Sequence, residues 1–265
     1  MKSYLPNRFK YPLWWLVKSP QRALGIGTLQ RDLKGIFYTL LAFTPFKPEP
    51  QPISICVGIK NRSKQFLTHF LPSLNQCEHQ HLIELSVFDC GSTDVLNLQQ
   101  EIQSIFKGKL IFRSEPRPFA RSYAFNQAIR QSTRELIFVC DADFSLPRRL
   151  VQTVSALTRN KSFWFPIVFY LYKNRQPLYG KRNGEWMLWG GKGIFAAKRV
   201  AFEAVGALDE TFTTWGGEDE EFWLRCHAQG HCVIRTREKQ LLHHWHPSLN
   251  PKYKKIEELT DMGIL

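Results

Sequence analysis

The sequence predicts an α/β fold with a mainly parallel central sheet flanked by helices. Two observations carry the prediction. From residue 53 onward, short apolar runs alternate with segments of helical period, the pattern of βαβ units. Polar clusters then fall just after several of the apolar runs, at the carboxyl ends of the strands, where open α/β sheets bind ligands.

The elements follow in order. ISICVGI (53–59) reads as a buried strand, and 63–76 as a helix with Phe66, Phe70, Leu71 and Leu74 on one side. LIELSVFDC (82–90) is a second strand, 94–106 a helix and KLIFRS (109–114) a third strand. Residues 119–132 suit a helix and ELIFVCDAD (135–143) a fourth strand. Residues 147–158 are helical, and 163–186 are aromatic and irregular, consistent with strands and a loop. Short helices are predicted at 198–206 and 218–229, and VIRT (233–236) is a late strand. The main domain is expected over 51–250, with a basic, aromatic extension at 1–50 and a tail at 251–265.

Composition bounds the rest. Hydrophobic residues make up 43% and charged residues 22%, enough to fill one large core and too apolar for a disordered chain. The net charge of +13 implies an anionic partner. The basic residues form no long block and no nucleic-acid module, so a phosphorylated substrate or lipid headgroups are expected rather than nucleic acid. None of the six cysteines forms a CxxC pair. Cys56, Cys90 and Cys140 lie in apolar runs, as core thiols of a reducing compartment do. No apolar run of eighteen residues and no leader pattern is present, so a cytoplasmic protein is expected. For residues 1–50 two readings stand: peripheral contact with the inner face of the cell membrane, or a flap packed on the domain.

Three clusters carry chemistry. Asp141 and Asp143 follow the run LIFVC, and two carboxylates one residue apart at a strand end can both serve one hard cation. Trp215-Gly216-Gly217-Glu218-Asp219-Glu220 places two glycines before an acidic helix start. Acidic residues there also favour the helix terminus, but capping alone does not need the Trp or the glycine pair. His243, His244 and His246 precede Pro247. Imidazole suits Mn²⁺ or Zn²⁺, and on a strand His244 and His246 would share a face.

Together these clusters resemble the GT-A glycosyltransferases, in particular the β-1,4-galactosyltransferase group and the related bacterial chondroitin-type polymerases of the family 2 superfamily. The resemblance covers roughly 53–250 and keeps the motif order. Ile59-Lys60-Asn61-Arg62 is similar to a Phe-Arg-Asn-Arg segment whose basic residues contact the nucleotide. Asp89-Cys90-Gly91-Ser92-Thr93-Asp94 is similar to Asp-x-Gly-Ser-Thr-Asp, whose first Asp contacts uracil. Phe119-Ala120-Arg121, followed by Asn126, resembles another donor-site segment. Asp141-Ala142-Asp143 matches the DxD motif, Trp189-Gly190-Gly191 the sugar-side Phe-Gly-Gly, and Trp215 to Glu220 the Trp-Gly-Gly-Glu-Asp-Asp that holds the base. Two departures stand out: Lys60 replaces an Arg, and Glu220 replaces an Asp.

The resemblance implies a GT-A, Rossmann-like fold and an inverting, metal-dependent transfer. The sugar would pass from a UDP-sugar (Gal, GalNAc or similar) to a glycan or lipid-linked glycan. It implies Lys60, Arg62, Asp89, Gly91, Phe119, Arg121, Asp141, Gly190, Gly191, Trp215 and Gly217 around the donor. Asp143 with His244, His246 being its rival, would bind a divalent cation, Mn²⁺ before Mg²⁺. Asp219 would be the base, beside Glu218. The alternative is a non-catalytic nucleotide-sugar or nucleic-acid binding protein on the same fold.

Overall fold

The computed structural model describes residues 49–158, 161–180, 182–188, 190–214 and 216–247. The expectations for residues 1–48, for the 251–265 tail and for Trp189 and Trp215 lie outside the described residues. Among the described residues no helix is long and apolar enough to cross a membrane.

The core is a seven-stranded sheet. Strands β1 (Ile53–Ile59), β2 (Ile83–Asp89), β3 (Lys109–Ser114) and β4 (Leu136–Val139) are its parallel half, in spatial order β4-β1-β2-β3. Every residue of β1, β2 and β4 is buried, as expected of strands covered on both faces. Short β5 (Phe144–Ser145) follows the DxD segment and leaves this sheet. The other half adds β6 (Ser162–Trp164), β9 (Phe195–Lys198) and β10 (Cys232–Ile234), with β9 antiparallel to β4 and β6.

Helices pack on this sheet. α1 (63–74) widens into a π-helical turn at Phe66–Phe70, just where Pro72 deprives the Thr68 carbonyl of its usual partner. Phe66, Phe70, Leu71 and Leu74 are all fully buried, the face that the periodicity predicts. α2 (Leu98–Ile105), α3 (Arg121–Gln131), α4 (Leu150–Leu157) and α5 (Arg199–Val205) lie inside their predicted spans. α6 (Glu218–Ala228) begins at the acidic motif.

A second sheet, in order β5-β11-β7-β8, builds the site. β7 (Ile167–Leu171) and β8 (Gly184–Trp186) form a hairpin, and β11 (Arg237–His243) lies between β5 and β7. β9 and β11 are not among the strands expected from sequence. The pairing of His243 with Phe144, antiparallel, carries the histidines to the end of the DxD segment.

Candidate active site

β4 ends at Val139, so Asp141 and Asp143 sit in the turn between β4 and β5. Asp143 is 5% exposed, and its backbone carbonyl accepts the N–H of His244 at 2.9 Å. Its Oδ2 lies 2.8 Å from His246 Nε2, and its Oδ1 lies 3.8 Å from His243 Nε2. Arg62, just past β1, places Nη2 2.8 Å from His246 Nδ1 and Nε 4.0 Å from Asp143 Oδ2. A guanidinium can only donate, so His246 Nδ1 accepts and its N–H points at Asp143.

The electrostatics agree with this arrangement. Burial raises the Asp143 pKa, but His243, His246 and Arg62 outweigh it and hold the carboxyl at about 2. Burial lowers the His243 pKa, against the pull of Asp143, and so favours a neutral imidazole. For His246 burial is outweighed by the hydrogen bond to Asp143, and the pKa rises. His243 stacks on Tyr170 of β7, with centroids 4.1 Å apart, and burial drives the Tyr170 hydroxyl upward.

Asp143, His243 and His246 offer ligand atoms within 4.8 Å of one another, and they are the group of three described residues that could hold a metal ion. The fit is more than proximity. Asp143 Oδ1 and His243 Nδ1 are buried with no hydrogen-bond partner, and buried polar atoms are rarely left so without a reason. A cation held there would displace the His246 proton that now points at Asp143. His244 lies elsewhere. Its Nε2 meets Ser145 Oγ at 2.7 Å, and its ring stacks on His69 at 3.7 Å. The strand ends at His243, so the alternation that would pair His244 with His246 does not extend that far.

Asp141 is gripped by Arg121 at the start of α3. Nε donates to Oδ1 at 3.1 Å and Nη2 to Oδ2 at 2.9 Å. The same guanidinium donates to the Gly193 carbonyl at 2.8 Å, and its Nη1 lies 3.6 Å from Glu218 Oε1. A Cβ on Gly193 would stand 2.4 Å from the guanidinium nitrogens, so a larger residue there would displace Arg121 from its contacts. Arg121 thus joins the DxD turn to α6. Glu218 is 4% exposed and accepts the N–H of Gly216, while Asp219 is half-buried and accepts that of Glu220. Gly216 and Gly217 have φ of 101° and 99°, a conformation that favours glycine.

Of the remaining predicted residues, Lys60, Asp89 and Gly91 line the carboxyl ends of β1 and β2. Lys60 donates to the carbonyls of Cys90 and Gly91, at 2.7 and 2.8 Å, so it ties the β2 loop to β1. Asp89 accepts Ser92 N–H and Ser114 Oγ–H, and Asp94 accepts the N–H of Ser63. Phe119, ahead of α3, leaves its ring 39% exposed. Asn126 is buried and binds the backbone of Leu208, away from the carboxylates. Gly190 and Gly191 follow β8, and Arg235 binds the Gly190 carbonyl at 2.9 Å. Sequence reasoning missed Tyr170, Gly193 and Arg235. A third glycine two residues after Gly191 was the available sign for Gly193; the other two stand in no motif.

Comparison with known proteins agrees with this geometry. The family model "Glycosyl transferase family 2" matches residues 54–208, more than half of the chain, and "N-terminal domain of galactosyltransferase" matches 174–247. The chain is 24% identical over 254 residues to chondroitin sulfate N-acetylgalactosaminyltransferase 1 of Mus musculus, covering 83% of this chain and 47% of that protein. It therefore spans about half the length of that relative. Among solved structures it is similar to GalNAc-T7 with UDP, GalNAc and Mn²⁺, with TM-score 0.60 and 13% identity, covering 76% of this chain and 45% of that one. It is also similar to a mannosyltransferase from Pyrobaculum calidifontis in complex with GDP-Man and Mn²⁺, with TM-score 0.55 and 17% identity, covering 85% and 68%. These structures share the GT-A fold of a mostly parallel sheet flanked by helices. With its parallel sheet, its DxD turn and the family match over most of its core, the chain belongs to glycosyl transferase family 2.

Proposed function

We propose that the chain is an inverting glycosyltransferase that moves Gal, GalNAc or a similar sugar from a UDP-sugar to a hydroxyl of a glycan or lipid-linked glycan. One observation carries the reading. The Asp143–His243–His246 group and the Asp141–Arg121–Glu218 chain meet at the carboxyl ends of the sheet, where α6 also delivers Asp219.

Asp143, His243 and His246 would hold a divalent cation, and a mixed imidazole–carboxylate set suits Mn²⁺ better than Mg²⁺, which prefers oxygen alone. When bound, that cation supplies positive charge against the donor diphosphate. The chain's own groups do the rest. Arg62 offers a charged fork to phosphate oxygens, and Asp141, set by Arg121, faces the ribose. Asp219 takes the proton from the acceptor hydroxyl as its oxygen attacks the anomeric carbon. The bond from that carbon to the diphosphate breaks, and its electron pair leaves with UDP. Glu218, buried against Arg121, orients the start of the helix. A cytoplasmic location, with residues 1–50 at the membrane face, is part of the proposal. The six cysteines, free and mostly buried, support a reducing compartment.

The test is a UDP-release screen over UDP-Gal, UDP-GalNAc, UDP-Glc and UDP-GlcNAc, with GDP-Man as control, in Mn²⁺, Mg²⁺ or EDTA. Release from one UDP-sugar, abolished by EDTA, is expected. No release, together with no UDP binding in calorimetry, would sink the reading.

A further inference from the structure

Arg235 stands just past β10 and belongs to none of the motifs above. Its Nη2 donates to three carbonyls of the segment after β8: Met187 at 3.2 Å, Leu188 at 3.3 Å and Gly190 at 2.9 Å. Its other arm, Nη1, is buried without a hydrogen-bond partner. The guanidinium is buried enough that its pKa falls to about 10, although the charges of Glu220 and Asp219 pull the other way. The same segment is tied from its far end. Lys192 pairs with Glu220 of α6 and lies 4.1 Å above the Trp223 ring, and Gly193 is held by Arg121.

These contacts have a consistent direction. Residues 187, 188 and 190–193 are fastened by three cations, two of which also answer to acidic residues on α6. Arg121 holds one backbone carbonyl, that of Gly193, whereas Arg235 grips three and turns the carbonyls of 187, 188 and 190 inward together. A neutral scaffold could hold a loop at less desolvation cost than a buried guanidinium with an empty arm. Retaining the charge makes sense where the loop must sit at a set distance from α6, whose Glu220 pairs with Lys192 of the same segment.

We propose that Arg235 is a positioning residue that fixes one end of the 187–193 segment, whose other end is tied to α6 through Lys192 and Arg121, and thereby sets discrimination between donor sugars. The proposal rests on the reading of Gly190 and Gly191 as sugar-facing. It predicts a separation between recognition of the nucleotide, which lies at β1 to β3, and recognition of the sugar. Lysine, with one ammonium, reaches fewer carbonyls than the guanidinium fork and serves as the partial rescue.

The experiment uses the full chain with Arg235→Met and Arg235→Lys. Hydrogen exchange is read at 187–193, UDP affinity by calorimetry, and turnover on the best donor and on the same donor with or without its acetamido group. Arg235→Met is expected to speed exchange in 187–193 by about 10-fold, keep UDP affinity within about 2-fold and cut the donor preference by about 10-fold, with Arg235→Lys between. Unchanged exchange at 187–193, or loss of UDP affinity in step with turnover, would overturn it. A wild-type chain that binds no UDP yet shows the exchange effect would reject the glycosyltransferase reading while leaving the anchoring role of Arg235 in place. Unchanged preference with faster exchange would remove the discrimination and overturn the proposal as stated.

Discussion

Arg121 and Asp141 form a two-point clamp, with Nε on Oδ1 at 3.1 Å and Nη2 on Oδ2 at 2.9 Å, and the clamp joins the start of α3 to the turn after the next strand, β4. The guanidinium side chain is 14% exposed and also meets Glu218. Removing one partner leaves a buried charge uncompensated, so Arg121→Leu is expected to lower stability by about 3 kcal/mol. Arg121→Lys keeps the charge but loses the fork, and turnover should fall more than stability does. Urea unfolding and UDP release, measured side by side, check this.

Gly193→Ala tests the same clamp from the other side. Its Cβ would collide with the Arg121 guanidinium, which must then leave Asp141 or the Gly193 carbonyl. Turnover is expected to drop at least about 10-fold, equivalent to about 1.4 kcal/mol. Wild-type turnover would mean that the clamp is dispensable.

The histidines separate by single substitution. His246→Ala is expected to weaken Mn²⁺-dependent UDP binding by at least about 10-fold, and Asp143→Ala to abolish it. His244→Ala, which removes a ring stacked on His69, should leave that binding within about 3-fold. Titration calorimetry with and without EDTA decides. Equal losses at 244 and 246 would return His244 to the ligand set.

Asp219→Asn is expected to reduce transfer by roughly 10²- to 10⁴-fold while UDP binding persists, because the amide cannot accept the proton. Near-normal transfer would place the base elsewhere.

Glu84 offers a prediction about pH. It is fully buried and accepts Ser54 Oγ–H at 2.8 Å, Thr133 N–H at 2.6 Å and Lys109 Nζ at 2.6 Å. Burial raises its pKa, but the bonds from Lys109, Thr133 and Ser54 outweigh burial and hold it at about 2, below the ordinary 4.5. A depressed carboxylate contributes stability above its unfolded pKa and loses it as pH falls through the folded one. The advantage of wild type over Glu84→Gln should therefore be complete at pH 7 and shrink between about 4.5 and about 2. Thermal melting across that range reads it directly.

The parallel half of the fold was legible because β1 and β4 are mostly apolar runs, β2 carries an apolar residue at nearly every other position, and α1 presents one apolar face. β9 was not, since FAAK is four residues long and ends in a charge. β11 was hidden by its own geometry. Gln240 adopts φ of 76°, the register shifts between Arg237 and Leu242, and adjacent Leu241 and Leu242 are both buried. The strand also ends at His243, so alternation does not decide among the histidines, and the structure brings His243 and His246, not His244, to Asp143. The motifs put Asp141 and Asp143 at the end of the fourth strand, and the structure has them in the turn that follows it. They were silent on Tyr170 and Arg235, whose parts arise only from tertiary packing.

The pairing of β11 with β5 has a temporal consequence. Asp143 emerges early in synthesis, but its imidazole partners come only once His243 and His246 have been made and β11 has inserted between β5 and β7. A nascent chain with the carboxylates already in place would lack the cation site until this long-range strand closes, and closure of such distant contacts is slow. Cation binding would then stabilise the closed form in proportion to its concentration. The metal would act as a final seal on maturation, and a chain stalled before residue 243 would stay inert toward nucleotide sugars.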